Sequence, residues 1–181
     1  MMLPIACKPG LNSYFNFSAI LVTLVIVSAC QTMRSPDPAT NLQEERDKKL
    51  KQAVENAHTR GDNEKALALQ AQIYQRNKDQ PTAALAYAKK LRQANRSSES
   101  IKLLKDVIKE NPDSDRLLHI NLQTELAMAY LSKGNFHMGH KHALKAIDAG
   151  KDQQNNKTIK DATGKAYHML SVALNALGIK E

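Results

Sequence analysis

The stretch from Pro81 to Pro112 constrains the fold most, because it contains two apolar patterns of helical period separated by a polar turn. Residues three and four positions apart lie on one face of a helix, and both halves place apolar residues at these steps. The two stripes are Ala84, Tyr87, Ala88 and Leu91, then Ile101, Leu104, Val107 and Ile108. Between them we predict Ser97 as the cap of the second helix. Pro112 predicts the end of that helix near Glu110, so the stretch forms a helix–turn–helix unit.

The same unit recurs along the chain. Its copies lie near residues 47–80, 81–114 and 120–153, with a half-copy at 164–181. The first two copies begin 34 residues apart, and a helix–turn–helix unit of this period resembles the tetratricopeptide repeat (TPR). The resemblance implies an all-α TPR solenoid of about three repeats plus a C-terminal capping helix. No alternating β-branched run of strand length follows residue 29, which also favours an all-α chain.

Some positions depart from a regular repeat. Ser100 and Gly139 stand where the family carries alanine in its second helix, and residues 115–119 and 151–162 are insertions. Gly150 is predicted to follow the sixth helix as its left-handed terminating residue. For the last helix we predict a buried stripe of Tyr167, Leu170, Ser171 and Leu174. That helix is compatible with a natural cap and with the first half of a further repeat.

The first 29 residues have the pattern of a signal peptide. The apolar run Ala19–Val27 is too short to span a bilayer as a helix of about 20 residues. It leads into Val27-Ser28-Ala29-Cys30, which resembles the lipobox of bacterial lipoproteins. The resemblance implies that Cys30 is acylated, palmitate being a usual acyl group, and becomes the mature N-terminus. An uncleaved anchor and an ordinary secretory signal are the alternatives.

Residues 30–41 are predicted to be a flexible tether, because they are polar, contain two prolines and have no apolar stripe. The folded TPR domain is then expected over residues 42–181. In enterobacterial lipoproteins an aspartate after the lipidated cysteine favours retention at the inner membrane, and Gln31 occupies that position here. The resemblance therefore implies a lipid-anchored protein of the cell envelope, at the outer membrane and facing the periplasm.

The sequence contains no motif of an enzyme, a cofactor site or a phosphate-binding loop. Its densest group of potential metal ligands is His137, His140 and His142. His137 and His140 share a helical face and could hold zinc or nickel. On an ideal helix His142 points away from His137. We therefore predict that these histidines lie on a solvated helix face and hold no metal, and we predict no cofactor for the chain. Ser97, Ser98 and Ser100 are predicted to be helix-capping residues and not nucleophiles. The chain is thus predicted not to be an enzyme.

Formal net charge is +8, and basic residues cluster on the first and third helices. Nucleic-acid binding would require stacking aromatics or a known module beside such charge, so we predict no nucleic-acid partner.

TPR arrays line their concave groove with the first helix of each pair. Carrying these positions over gives Lys48, Lys51, Glu55, His58, Leu85, Lys89, Arg92, Thr124, Met128 and Leu131. Such a groove suits an extended or helical peptide with acidic residues and apolar anchors; alternatively, these side chains only solvate the surface.

A lipobox, a short tether and TPR repeats together are similar to the assembly lipoproteins of pilus and secretion systems. Three segments carry a closer resemblance to the TadD-type lipoproteins of tight-adherence (Flp) pilus systems: VSAC, ALAYAKKLRQANRSSESIKLLKDVI and DATGKAYHMLSVALNALG. This resemblance implies a protein-binding adaptor in pilus assembly, with a secretin or another pilus or secretion component as partner. The alternatives are an envelope scaffold for peptidoglycan enzymes or outer-membrane protein assembly, and a structural TPR fragment without a partner.

Overall fold

The computed structural model describes residues 38–153 and 155–179, and within these ranges all regular secondary structure is helical. Seven α-helices follow one another, with one short 3-10 helix at Lys151–Gln153. The α-helices are α1 (Pro38–Thr59), α2 (Asn63–Arg76), α3 (Pro81–Gln93), α4 (Ser97–Glu110), α5 (Arg116–Ser132), α6 (Phe136–Gly150) and α7 (Lys157–Ala176). The predicted all-α fold of helix pairs is therefore confirmed. The described residues from Glu44 onward belong to one compact unit.

The predicted signal peptide, Cys30 and most of the predicted tether lie outside the described residues. The tether was predicted to extend to residue 41, but α1 already begins at Pro38. A proline is well suited to the first turn of a helix, because the N–H it lacks would have no partner there. Among the described helices, none is long and apolar enough to cross a membrane.

Side chains of Asp and Asn begin four of the helices. The oxygen acceptors are Asp62 for α2, Asp115 for α5, Asn135 for α6 and Asn156 for α7. Each accepts a backbone N–H of the first turn, at 3.0 to 3.1 Å for the shortest contact. The prediction for Ser97 was wrong: it is the first residue of α4, and the cap position is held by Arg96, which makes no side-chain cap bond. The Arg96 guanidinium instead binds Glu99 on the first turn.

The first helix of every pair ends in the same left-handed turn. Positive φ angles occur at Gly61, Asn95, Gly134 and Gly178, after α1, α3, α5 and α7. In each turn the next residue donates its N–H to a carbonyl five residues back, at 2.8 to 3.1 Å, which is the Schellman geometry. The turns are 34, 39 and 44 residues apart, so both predicted insertions lengthen the repeat without breaking it. By this ending, α7 is equivalent to the first helix of a pair.

The core consists of three clusters of small and medium apolar residues. One joins α3, α4 and α5, a second joins α5, α6 and α7, and a third joins α1 and α2. Their buried members are Ala84, Ala88, Leu104, Val107, Leu122 and Leu126; Ile120, Ala146, Ile159, Ala162 and Ala166; and Val54, Ala57, Ala66 and Ile73. The many alanines let helix axes approach closely, as helix-on-helix packing requires.

Three small residues lie at positions where neighbouring helices pack closely. Ser100 is fully buried in α4. A Cβ on Gly139 would lie 2.6 Å from Leu131 Cδ2. Gly150 was predicted to follow α6 in a left-handed conformation, but it is the last residue of that helix and its φ is not positive. A Cβ at Gly150 would lie 2.0 Å from Thr163 Oγ1, so the close approach of α6 and α7 accounts for this glycine.

The buried stripe predicted for α7 was also wrong. Tyr167 is 55% exposed and Ser171 is exposed, while Leu170 and Leu174 are half-buried. The buried residues of this helix are Ile159, Ala162, Thr163, Ala166 and Ala173. Since α7 packs against α5 and α6 mainly through small side chains, the larger Tyr167 and Val172 are left exposed.

Candidate functional site

The first helices of three successive pairs form one cleft. The cleft has a volume of about 320 Å³ and lies between α3, α5 and α7. Its lining residues are Leu85, Lys89, Arg92, Asn121, Thr124, Glu125, Met128 and Lys165. Five of these are among the predicted groove residues; Asn121, Glu125 and Lys165 were not predicted. We call this the α3–α5–α7 cleft.

An ion pair crosses the floor of the cleft. Arg92 Nε lies 2.5 Å from Glu125 Oε1, and Nη2 lies 3.4 Å from Oε2. The Glu125 side chain is 8% exposed and that of Arg92 is 20% exposed, so water screens the pair little. The two residues are 33 positions apart, nearly one repeat, which places them on adjacent first helices. Opposite charges at this spacing are the sequence signal that could have identified Glu125.

The remaining cations of the cleft are Lys89 and Lys165. Both are exposed, and in the part of the chain that the structure describes neither forms an ion pair. Because Glu125 already binds Arg92, the positive charge offered to a ligand comes from these two ammonium groups. The apolar part of the cleft is supplied by Leu85 and Met128, which are half-buried.

Thr124 lines the cleft, but the proton of its hydroxyl group is already donated in a hydrogen bond. Its hydroxyl donates to the carbonyl of Ile120 at 2.7 Å, within its own helix. Asn121 is half-buried beside it, and its side-chain amide has both donors and an acceptor. Asn121 is therefore the cleft residue best able to bind the backbone of a peptide.

The other predicted groove residues lie elsewhere. Lys51 lines a separate, mainly polar depression of about 460 Å³ beside α2 and α3. Lys48 and Glu55 are exposed on α1, and His58 is half-buried there with its Nδ1 buried and without a hydrogen-bond partner. Leu131 is directed toward Gly139 on α6. The structure therefore brings together the predicted residues of α3 and α5, but not those of α1 or Leu131.

Lys90 differs from its neighbours in the predicted basic cluster of α3. It is buried, whereas Lys89 beside it is exposed. Burial lowers the pKa of Lys90; the Glu55 carboxylate opposes that change and the charge of Lys89 adds to it. Lys90 thus belongs to the packing between helices and does not line the cleft.

His142 was predicted to be on a solvated face and is buried instead. Its ring stacks on Tyr130 at a centroid distance of 5.4 Å, and Nδ1 lies 2.8 Å from Gln123 Oε1. Burial lowers the pKa of His142 to about 4, and the charges of Lys145, Lys141 and Lys105 act in the same direction. The imidazole is therefore neutral near pH 7 and belongs to the α5–α6 contact. Within residues 38–153 and 155–179, no group of three His, Cys, Asp or Glu could hold a metal ion.

Comparison with known proteins supports the repeat architecture. Residues 57–126, less than half of the chain, match the sequence model of the tetratricopeptide repeat family. Among solved structures, the crystal structure of the P58(IPK) TPR domain is similar with 17% identity and a TM-score of 0.49. That match covers 87% of this chain and 44% of the other. None of the curated proteins matches the sequence. The described residues thus form an all-α array of three helix pairs and a seventh helix with common turns, in which residues 57–126 are similar to tetratricopeptide repeats.

Proposed function

We propose that this protein is a non-enzymatic adaptor that binds an acidic segment of a protein partner in the α3–α5–α7 cleft. The observation that carries the proposal is that two exposed lysines, Lys89 and Lys165, line the same cleft as the apolar side chains of Leu85 and Met128. Carboxylates of a peptide would bind the ammonium groups, while an apolar side chain would pack on Leu85 and Met128. TPR repeats in general mediate protein–protein interactions, which agrees with this use of the cleft.

We further propose that the adaptor acts at the bacterial outer membrane. The Val27-Ser28-Ala29-Cys30 pattern supports acylation of Cys30, and the residue after it, Gln31, supports outer-membrane sorting. Two or more acyl chains are enough for stable membrane attachment. The resemblance to TadD-type lipoproteins supports pilus or secretion-system assembly, with a secretin or a neighbouring component as partner.

The experiment that tests both parts is an affinity pull-down from crosslinked membranes. It compares the wild type with Cys30→Ala and with the double variant Lys89→Glu and Lys165→Glu. Lys160→Glu, an exposed change on α7 that does not line the cleft, is the matched control. We expect a secretin to co-purify with the wild type and with Lys160→Glu. Its recovery should fall about tenfold or more in the double variant, since reversed charges repel an acidic segment.

The outcomes distinguish the contribution of the lipid anchor from that of the α3–α5–α7 cleft. Recovery that depends on Cys30 but not on Lys89 and Lys165 would contradict the proposed binding site. Cell-wall enzymes in place of a secretin would contradict pilus assembly and favour the envelope-scaffold alternative. A wild-type protein that is absent from membranes would contradict the lipid anchor.

A further inference from the structure

A second binding surface lies between the second helices α2 and α4, on helix faces that do not line the α3–α5–α7 cleft. Two depressions of about 330 and 400 Å³ share Leu103 and Asp106, and these adjacent depressions together make up the surface. We call it the α2–α4 groove. Its walls come from α2, α3 and α4, and none of its lining residues belongs to the cleft described above.

The floor of the groove is aromatic and apolar. Tyr74 of α2 and Tyr87 of α3 stack with ring centroids 5.1 Å apart and planes 16° apart. Both rings are half-buried, and Leu103 continues the apolar floor between the two depressions. A flat tyrosine face binds aliphatic side chains, and it also binds a guanidinium group by stacking.

The rim of the groove is acidic, although the chain as a whole is basic. Four carboxylates line it, those of Asp79, Glu99, Asp106 and Glu110, against the two ammonium groups of Lys78 and Lys102. Glu99 binds Arg96 at 2.6 Å. Among the described residues, the other three carboxylates have no ion pair. Three carboxylates thus remain against two ammonium groups, so the groove carries a small net negative charge on a protein of formal net charge +8.

We propose that the α2–α4 groove binds a basic segment of a protein partner. An arginine of that segment stacks on the Tyr74–Tyr87 pair, and an apolar side chain packs on Leu103. Lysine or arginine side chains bind Asp79, Asp106 and Glu110. Charge complementarity selects this occupant, because the carboxylates of the groove repel an anionic membrane and the like net charges of two copies of this chain repel each other. The adaptor then carries two sites of opposite charge preference with no lining residue in common.

Fluorescence anisotropy tests the proposal on the full chain. The probe is a labelled synthetic peptide in which Arg and Lys alternate with Leu, and a peptide with Glu at the charged positions is its counterpart. The double variant Asp79→Lys and Asp106→Lys should bind the cationic peptide about tenfold or more weakly, and Lys102→Glu should bind it a few times more tightly. Asp161→Lys, an exposed change on α7 outside the groove, should change the dissociation constant less than about twofold. A Lys-only peptide should bind more weakly than the Arg-containing one, because lysine lacks the planar group that stacks.

Amide shifts in NMR spectra locate the peptide. They should change around Leu103 and Asp106, and the double variant Lys89→Glu and Lys165→Glu should retain this binding. Equal affinity of Asp79→Lys, Asp106→Lys and Asp161→Lys proteins would overturn the proposal, as would shifts confined to the α3–α5–α7 cleft. Self-association of the wild type that Asp106→Lys abolishes would also overturn it, since the occupant would be a second copy. None of these results depends on whether the other cleft binds an acidic segment.

Discussion

The ion pair of Arg92 and Glu125 joins α3 and α5 at the floor of the cleft, and its two side chains differ in exposure to water. This difference decides how much stability is lost when either partner is removed. Removing the arginine leaves a carboxylate that water reaches poorly, whereas removing the carboxylate leaves a guanidinium that can still be partly hydrated. The pair therefore also fixes how much charge the cleft presents, because Arg92 is neutralised before any ligand arrives.

We expect Arg92→Met to lower the free energy of unfolding by about 3 kcal/mol, because it leaves Glu125 buried without its partner. Glu125→Gln should cost less, about 1 to 2 kcal/mol, since the amide keeps an acceptor for the arginine. Urea denaturation followed by circular dichroism measures both. The exposed Arg96→Met variant, which breaks a solvent-accessible pair with Glu99, is the control and should change stability far less than Arg92→Met does. Equal effects of Arg92→Met and Arg96→Met would contradict the role of burial.

His142 makes stability depend on pH. An unfolded histidine has a pKa near 6.5, while burial lowers the pKa of His142 to about 4 in the folded protein. Between these values the unfolded chain binds a proton that the folded chain does not, so stability falls as pH falls. The loss attributable to this one group is about 3 kcal/mol from pH 6.5 to 4.

The variant His142→Phe should flatten this pH dependence, because it removes the titrating group while keeping a ring to stack on Tyr130. His137→Phe, at an exposed position of the same helix, should leave the dependence as in the wild type. Denaturation curves collected at several pH values compare the slopes. A wild-type slope in His142→Phe would show that other groups cause the acid sensitivity.

The helices themselves illustrate what periodicity predicts and what it does not. The boundaries of α3 and α4 follow from Pro81, Pro112 and the apolar stripes between them. The buried face of α7 was predicted wrongly because the prediction assumed that the larger apolar side chains are buried. Instead Ala162, Thr163 and Ala166 are buried, whereas Tyr167 is not. Only the distance between α6 and α7 decides which side chains fit there, and a sequence pattern does not contain that distance.

Gly150 is the position where that distance can be tested. Alanine normally favours a helix by about 1 kcal/mol over glycine, but a methyl group here meets Thr163 Oγ1. We expect Gly150→Ala to lower stability by about 1 to 2 kcal/mol, because the clash exceeds the gain in helix propensity. Adding Thr163→Ala should restore part of this loss by removing the opposing atoms. Gly164→Ala, where a Cβ meets nothing within 4 Å, is the matched control and should stabilise α7. A double-mutant cycle with no coupling would contradict the close contact.

The cleft could be predicted only in part. The groove positions carried over from the TPR resemblance identified Leu85, Lys89 and Arg92 on α3, and Thr124 and Met128 on α5, and all five line it. Lys165 was missed because the last repeat interval is ten residues longer than the first, which obscures the equivalence of α7. Lys48 and Glu55 lie elsewhere, since α1 does not line this cleft. Spacing gives the face of a helix, but neighbouring helices decide whether faces meet.

At the scale of the whole molecule, α5 occupies the centre of the packing. Eight of its 17 residues are buried, and it belongs to both the α3–α4–α5 and the α5–α6–α7 clusters. Opening either neighbouring pair leaves α5 covered on its other side. We expect its central amides to exchange hydrogen only through global unfolding, and those of α7 to exchange faster. Hydrogen exchange followed by mass spectrometry measures this difference. Faster exchange in α5 than in α7 would contradict a core centred on α5.

The first helices that line the cleft differ in length, from 13 residues in α3 to 17 in α5 and 20 in α7. At 1.5 Å per residue, α7 is about 10 Å longer than α3, yet it lines the cleft through Lys165 alone, whereas α3 contributes three lining residues. A bound peptide would therefore contact two different walls. If its chain direction were reversed, each of its residues would contact different residues of this protein. Directional binding follows: a peptide and its reversed sequence, with the same composition and charge, should not have the same affinity.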